Sequence, residues 1–153
     1  MTQTVKPKDL PSLVGTEFEP SSWLEVTQER INLFADATND HQFIHVDPEK
    51  AAQTPFGGTI AHGFLTLSLV SGLLAEHGLK VEGAAMAINY GSDKVRFMAP
   101  VPSGSRIRAR QTLVEATEKR PGQWLTKTQV TIEIDGQKKP AMIAEFLAMI
   151  FVK

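Results

Sequence analysis

The fold is decided by residues 63–76, which read GFLTLSLVSGLLAE. This pattern predicts a helix of about 15 residues that starts near Gly63, directly after a glycine-rich loop over residues 54–63. Apolar side chains point in all directions around the helix, and its first charged residue is Glu76. A helix without a polar face is buried on all sides, so we expect this segment at the centre of the fold.

Helical signals also precede this segment. Thr27 is a suitable N-cap for a helix over residues 28–38, in which apolar residues recur with helical spacing. Asp47 is a suitable N-cap for a short second helix that begins at Pro48 and runs through Ala52. The first half of the chain is therefore predicted to be helical.

The pattern changes from helical to extended after Gly83. Strands are predicted at residues 85–90, 94–97, 106–116, 124–134 and 141–152. Turn signals at residues 118–122 and 135–136 join the later strands into a meander. The last strand is apolar on both faces, which is typical of a central strand.

An antiparallel sheet rolled around one apolar helix satisfies this order of elements. We therefore expect an α+β chain with the hot-dog fold. A length of 153 residues suits one domain, which we expect over residues 14–153 after an irregular lead-in over residues 1–13. Such a sheet leaves edges to cover, so a homodimer with a continuous sheet is predicted.

The amino-acid composition disfavours several classes of partner and of site chemistry. Sixteen basic and seventeen acidic residues give a net charge of -1, which disfavours a nucleic-acid-binding protein. The absence of cysteine excludes disulfides, thiolate catalysis and thiolate metal sites. The first ten residues have no signal-peptide pattern, and the apolar run 64–74 is too short for a membrane span of roughly 18 residues. We expect a cytoplasmic protein that binds neither membrane nor nucleic acid.

The densest polar cluster is the segment 40–47, which reads DHQFIHVD. Asp40 and His45 can meet across the turn between the two predicted helices. A carboxylate and an imidazole with different pKa values can act as acid and base on one water molecule. The structural alternative is that Asp40 caps a turn and His45 is a hydrogen-bonded core histidine.

Gly63 marks the predicted start of the central helix. A helix start offers unpaired N–H groups at the positive end of the helix dipole, and a glycine there lets a ligand oxygen approach the backbone. Such an N–H could stabilise the oxyanion of a thioester enolate. The alternative is a plain glycine hinge.

The segment 34–71, FADATNDHQFIHVDPEKAAQTPFGGTIAHGFLTLSLVS, resembles the active-site stretch of the MaoC-like (R)-specific enoyl-CoA hydratases and dehydratases. It is most similar to their nodulation protein N branch. The likeness joins Asp-x4-His to a glycine-rich loop that ends in His-Gly, then to a helix that carries a serine. The segment 93–102, DKVRFMAPVP, also resembles the family.

The resemblance implies a role for each matching residue. Asp40 and His45 would activate the water, and the Gly63 N–H would bind the thioester carbonyl. Ser68, His62 and Gln42 would contact the substrate. No cofactor is implied, since coenzyme A is part of the substrate. Many relatives have Asn-Pro where this chain has Gln42-Phe43, which bears on substrate preference.

Cations and histidines suggest two further sites. Arg106, Arg108 and Arg110 alternate along one strand face and, with Lys94 and Arg96, are candidates for coenzyme A phosphates; the alternative is a solvated sheet face. A metal bound by the histidines and aspartates of segment 40–47 and by the histidine before Gly63 is conceivable. We expect none, because proline and β-branched residues disfavour a regular helix there.

The predicted function is hydration of a trans-2-enoyl thioester, or the reverse dehydration of a 3-hydroxyacyl thioester, in fatty acid metabolism. The substrate would be a thioester of coenzyme A or of acyl-carrier protein. Two alternatives stay open at this point: a hot-dog thioesterase and a non-catalytic acyl-thioester-binding subunit. The predicted central helix has no acid before Glu76, which counts against the thioesterase.

Overall fold

A curved antiparallel sheet holds one long helix against its concave face. The computed structural model describes residues 4–153. The sheet has five strands in the order β2-β5-β6-β7-β4. Its strands are β2 (Leu24–Glu25), β4 (Ala84–Phe97), β5 (Arg106–Arg120), β6 (Gln123–Ile134) and β7 (Met142–Val152). Two short parallel strands, β1 (Thr4–Val5) and β3 (Lys80–Val81), form a separate pair. This architecture confirms the α+β hot-dog prediction.

Capping residues set the helix starts. The helices are α1 (Gln28–Thr38), α2 (Phe43–Val46), α3 (Pro48–Ala52) and α4 (Gly63–His77). The Thr27 side chain accepts a hydrogen bond from the Arg30 N–H at 3.1 Å, and that of Asp47 accepts from the Lys50 N–H at 3.1 Å. Both caps were predicted from the sequence, and both satisfy N–H groups that a helix leaves unpaired.

The core lies between α4 and the inward residues of β5 and β6. Ile107 and Ala109 on β5 and Val130 and Ile132 on β6 are fully buried, as the alternation of the strands predicts. Val70 of α4 packs into the same cluster. The alternate residues of β5 point away from α4, so their side chains do not reach a site beside the helix.

The structure corrects the expected irregular lead-in. A 3₁₀ helix spans Pro7–Leu13, and Leu10 is fully buried in a second cluster with Trp124 and Ile150. The first three residues of the predicted lead-in lie outside the described residues. Leu10 packs against the sheet, and this contact orders a segment whose local sequence does not predict regular structure.

The predicted pair of short strands over residues 85–97 is also corrected. One strand, β4, runs from Ala84 to Phe97 and follows β7 through three register irregularities, the last between Asp93 and Arg96. Bulges keep a strand paired while local twist and spacing change. The strand pattern in the sequence is interrupted at these bulges, whereas the strand itself continues through them. The sequence therefore predicts two short strands where the structure has one.

The α4 helix is not buried on all sides in the single chain. Phe64 is 68% exposed, and Ser71 and Ala75 are exposed as well. The sheet covers only the side that carries Leu65, Val70 and Leu73. Among the described residues, no helix is both long and apolar enough to cross a membrane.

Candidate active site

The end of α1 places Asp40. Asn39 adopts the left-handed conformation with φ of 59°, and the Asp40 N–H donates to the Ala35 carbonyl oxygen at 3.2 Å. Asparagine tolerates this conformation better than most residues. The chain therefore turns sharply after α1, and Asp40 stands at the turn with an exposed side chain.

The four-residue helix α2 presents His45 on its buried side. His45 is 7% exposed, and its Nδ1 lies 2.7 Å from the Ile60 carbonyl oxygen. A carbonyl oxygen only accepts, so Nδ1 carries the proton and donates it to this bond. The neutral ring is left with a lone pair on Nε2, which suits a group that accepts a proton from water.

His62 packs on both members of the predicted pair. Its ring stacks on that of His45 with centroids 3.8 Å apart and planes at 23°. Its Nε2 donates to the Asp40 backbone carbonyl oxygen at 3.0 Å, while its buried Nδ1 has no partner in the described part of the chain. His62 is 3% exposed, so it supports Asp40 and His45 from behind rather than facing open space.

The three groups converge on one place. A carboxylate oxygen of Asp40, a ring nitrogen of His45 and a ring nitrogen of His62 lie within 4.8 Å of one another. His45 and Gly63 line one cavity of about 270 Å³, together with Thr66 and Phe97. His45 and the distant Gly63 thus meet at a single cavity, and the Asp40 carboxylate lies next to His45.

Gly63 is the first residue of α4, and its N–H finds no acceptor between Thr4 and the end of the chain. A Cβ on Gly63 would stand 3.1 Å from the Phe97 ring, which is tighter than nine in ten real Cβ contacts. Glycine therefore allows the Phe97 ring to pack against the start of α4. The N–H lies at the positive end of the α4 dipole, where an oxyanion is favoured.

Burial lowers the pKa of the His45 imidazole below its ordinary value of 6.5. The neighbouring His62 lowers the pKa of His45 further, whereas the hydrogen bond to Ile60 and the Asp40 carboxylate oppose the shift. His45 is therefore kept neutral in the range where a free histidine takes up a proton.

Asp40, His45 and His62 also have the donor types of a metal site. A histidine binds a metal through a lone pair that lies in its ring plane. The rings of His45 and His62 are stacked in nearly parallel planes, so one ion would not lie in both planes close to the two rings. His41, the other histidine of the predicted cluster, lies on the surface and pairs with Asp36 at 2.8 Å. This geometry favours acid–base chemistry over metal binding.

None of the three residues predicted to contact the substrate, His62, Ser68 and Gln42, lines the cavity beside Gly63. Ser68 is exposed, and its hydroxyl donates to the Phe64 carbonyl oxygen at 2.6 Å, one turn back in α4. Gln42 is exposed, and its N–H donates to the Asp40 carboxylate at 3.3 Å. Their roles in substrate binding stay predictions.

The arginines of β5 lie on the outer face of the sheet. Arg106 pairs with Asp135 and Arg110 with Glu17, while the Arg108 Nε donates to Glu133 at 2.6 Å. The Arg108 guanidinium also stacks 4.5 Å from the ring centroid of Trp23. This geometry favours a solvated, ion-paired sheet face over a coenzyme A phosphate site.

The two cations predicted on β4 differ in their partners. The Lys94 Nζ lies 3.2 Å from Glu145. The Arg96 guanidinium donates to the neighbouring Val95 carbonyl oxygen at 2.7 Å and meets no carboxylate among the described residues. Of the predicted phosphate contacts, Arg96 is thus the one that stays free for an anion.

Three supporting residues escaped the sequence reasoning. The Gln28 amide donates to the His45 carbonyl oxygen at 2.7 Å and accepts from the Thr59 hydroxyl at 2.5 Å, so it ties α1 to α2 and to the glycine-rich loop. Ile60 supplies a backbone carbonyl, and Phe97 covers Gly63. The local sequence around Gln28, Ile60 and Phe97 contains no pattern that predicts these roles.

The chain is similar to a known protein family over most of its length. The model of the MaoC like domain matches residues 9–136. The chain is 50% identical to nodulation protein N of Rhizobium leguminosarum bv. viciae over 93% of this chain and 89% of that protein. It is 51% identical to 3-hydroxyacyl-thioester dehydratase Z of Mycobacterium tuberculosis over 90% of each.

The structural comparison gives the same result. A structure titled (R)-hydratase from A. caviae superposes with a TM-score of 0.72 at 26% identity, covering 88% of this chain and 94% of that one. The monoamine oxidase regulatory protein from Archaeoglobus fulgius gives a TM-score of 0.82 at 25% identity, covering 100% and 99%. A family match over most of the chain, with relatives at about half identity, leads to one conclusion: the chain belongs to the MaoC-like dehydratase family.

Proposed function

We propose that this protein adds water across the double bond of a trans-2-enoyl thioester, with (R) stereochemistry, and catalyses the reverse dehydration. The observation that carries the proposal is the convergence of Asp40 and His45 beside the cavity that Gly63 lines. The relatives named as a 3-hydroxyacyl-thioester dehydratase and an (R)-hydratase support the same reaction class.

Each step of the reaction has a matching group. Water is held between the Asp40 carboxylate and the His45 Nε2, both of which accept its hydrogens. As the water oxygen bonds to C3, this pair takes one proton from the water and returns one proton to C2, so the net addition is one water molecule and the pair regains its starting state. The negative charge on the thioester oxygen in the enolate is held by the Gly63 N–H. An acid–base pair contributes about 10²–10⁴-fold, and an oxyanion donor about 10²–10³-fold.

A thioesterase is disfavoured by the state of the acid on α4. The Glu76 carboxylate accepts a hydrogen bond from the Ser22 N–H at 2.9 Å and another from the Ser22 hydroxyl. Glu76 is also the fourteenth of the fifteen residues of α4, near the far end of the helix from Gly63. It therefore holds the segment before β2 rather than a nucleophilic water.

The reaction class is tested by offering trans-2-enoyl-CoA substrates to the purified protein. We expect the enoyl absorbance to fall while no free thiol appears, and the product to be the (R)-3-hydroxyacyl thioester. Thiol release without hydration would instead indicate a thioesterase. Tight binding with neither reaction would indicate an acyl-thioester-binding subunit.

The pH profile follows from the neutral state of His45. Because burial lowers its pKa below 6.5, we expect the acid limb of kcat/KM for hydration to lie below that value. The same shift makes the unfolded chain the better proton acceptor, so the folded state should lose stability as pH falls through 6.5 towards the His45 pKa. An acid limb above pH 6.5 would contradict a neutral His45.

We propose that the protein is a homodimer joined at β4. This strand is the free edge of the sheet, and its apolar residues Met86, Ile88 and Tyr90 are 55%, 46% and 62% exposed. Phe64 on the uncovered side of α4 is also exposed. A free strand edge with apolar side chains is prone to pair with another strand, and a second β4 pairing across a two-fold axis would cover both edges.

Sedimentation velocity tests this assembly. We expect the mass of two chains for the wild type and of one chain for Tyr90→Lys, because a buried ammonium without a partner destabilises the interface. Leu33→Lys is the matched control, since Leu33 is equally exposed but lies on α1. A fully active wild-type monomer would refute the proposal.

A further inference from the structure

A second cavity lies further along α4 from the Gly63 site. Its volume is about 320 Å³, and it separates the C-terminal half of α4 from the concave face of β4 to β7. Apolar side chains such as Leu74, Phe146 and Ile150 form part of its wall. The wall also carries five polar side chains, those of Ser71, Asn89, Gln111, Thr126 and Thr128. This polarity is unusual for the inside of a sheet that packs on a helix.

Gln111 is the strongest anomaly in this wall. It occupies an inward position of β5 between Ala109 and Leu113, which belong to the buried core. Gln111 is 4% exposed, and its Nε2 has no hydrogen-bond partner among residues 4–153. A buried amide without a partner costs free energy that an apolar side chain would not. A ligand atom that bonds this amide would explain why a glutamine stands here.

The two cavities lie along the same helix, α4. Leu74 follows Gly63 by eleven residues, close to three turns, so the two residues lie on the same side of the helix. The separation along the axis is about 12 Å for Ser71 and about 16 Å for Leu74. An acyl chain of that length, extended along α4 from the Gly63 N–H, would place its far end at the second cavity.

We propose that the second cavity receives the far end of the acyl group, and that the Gln111 amide hydrogen-bonds an oxygen carried there. The inference rests on the proposed hydratase function and deepens it. The preferred substrate class is then a medium-chain trans-2-enoyl thioester with a hydroxyl or carbonyl oxygen near its distal end. An amide offers both a donor and an acceptor, so either group is matched.

The test compares kcat/KM for trans-2-decenoyl-CoA with that for its ω-hydroxy derivative. We expect the wild type to prefer the hydroxylated chain by about tenfold or more, the worth of one good buried hydrogen bond. Gln111→Met keeps the volume but removes the amide, and it should abolish the preference. Gln129→Met, on the exposed side of β6, is the control and should keep it.

Crotonyl-CoA separates the two proposals, because its short acyl chain ends before the second cavity. Failure of the wild type to hydrate any of the three thioesters refutes the proposed function. Hydration of all three with equal efficiency for the plain and hydroxylated decenoyl chains overturns the role of Gln111 alone. The same holds if Gln111→Met retains the preference. The wild-type ratio decides the matter even if Gln111→Met does not fold.

Discussion

Asp40→Asn is expected to lower kcat/KM for enoyl-thioester hydration by about 10²–10⁴-fold. The change keeps the shape of the side chain but removes the charge that accepts a proton from water. The fold should be unaffected, because the Asp40 side chain is exposed and the hydrogen bond from His62 is accepted by the Asp40 backbone carbonyl oxygen. Steady-state kinetics beside thermal unfolding would show the loss of rate without a loss of stability.

Asp36→Asn is the matched control for this variant. Asp36 is also exposed, lies one turn earlier near the end of α1, and within residues 4–153 pairs only with the surface histidine His41. We expect its hydration rate to equal that of the wild type. A turnover for Asp40→Asn within a few-fold of the wild type would remove Asp40 from the mechanism.

His45→Gln is expected to lower hydration by a similar factor of about 10²–10⁴. The variant removes the Nε2 lone pair that we propose accepts a proton from water. It also replaces the ring that stacks on His62 and donates to the Ile60 carbonyl oxygen. A loss of about 1–3 kcal/mol in the free energy of unfolding is therefore expected as well, if the amide does not restore that hydrogen bond.

His41→Gln serves as its control, because His41 lies four residues away on the surface. Kinetics should be measured well below the melting temperature of each variant, so that the stability loss of His45→Gln does not enter the rate. Full turnover by folded His45→Gln would mean that His45 is only a hydrogen-bonded core histidine, which is the alternative that the sequence leaves open.

The fold was predictable wherever local patterns dominate. Thr27 and Asp47 are capping residues, and inward and outward positions alternate along β5 and β6, so helix starts and core residues follow from short-range rules. Long-range contacts carried the rest. Leu10 is ordered by Trp124, more than a hundred residues away, and β4 persists through bulges because β7 supplies its partners.

The site divides in the same way. The positions of Asp40, His45 and Gly63 were read from spacing and from a family likeness. The stack of His62 on His45, by contrast, depends on how the glycine-rich loop returns to α2. For Arg106 and Arg108 the sequence allows a phosphate site or a solvated sheet face, and only their ion pairs with Asp135 and Glu133 in the structure favour the second. The missing hydrogen-bond partner of the Gln111 amide can be recognised only from the structure, in which Gln111 lines a cavity.

The most direct test of the shared site is a crystal structure of Asp40→Asn with a trans-2-enoyl thioester bound. The structure should show the thioester oxygen within hydrogen-bond distance of the Gly63 N–H. It should also place C3 next to a water that contacts residue 40 and the His45 Nε2. A thioester bound with its carbonyl away from Gly63, or with C3 remote from both side chains, would contradict the mechanism derived for this protein.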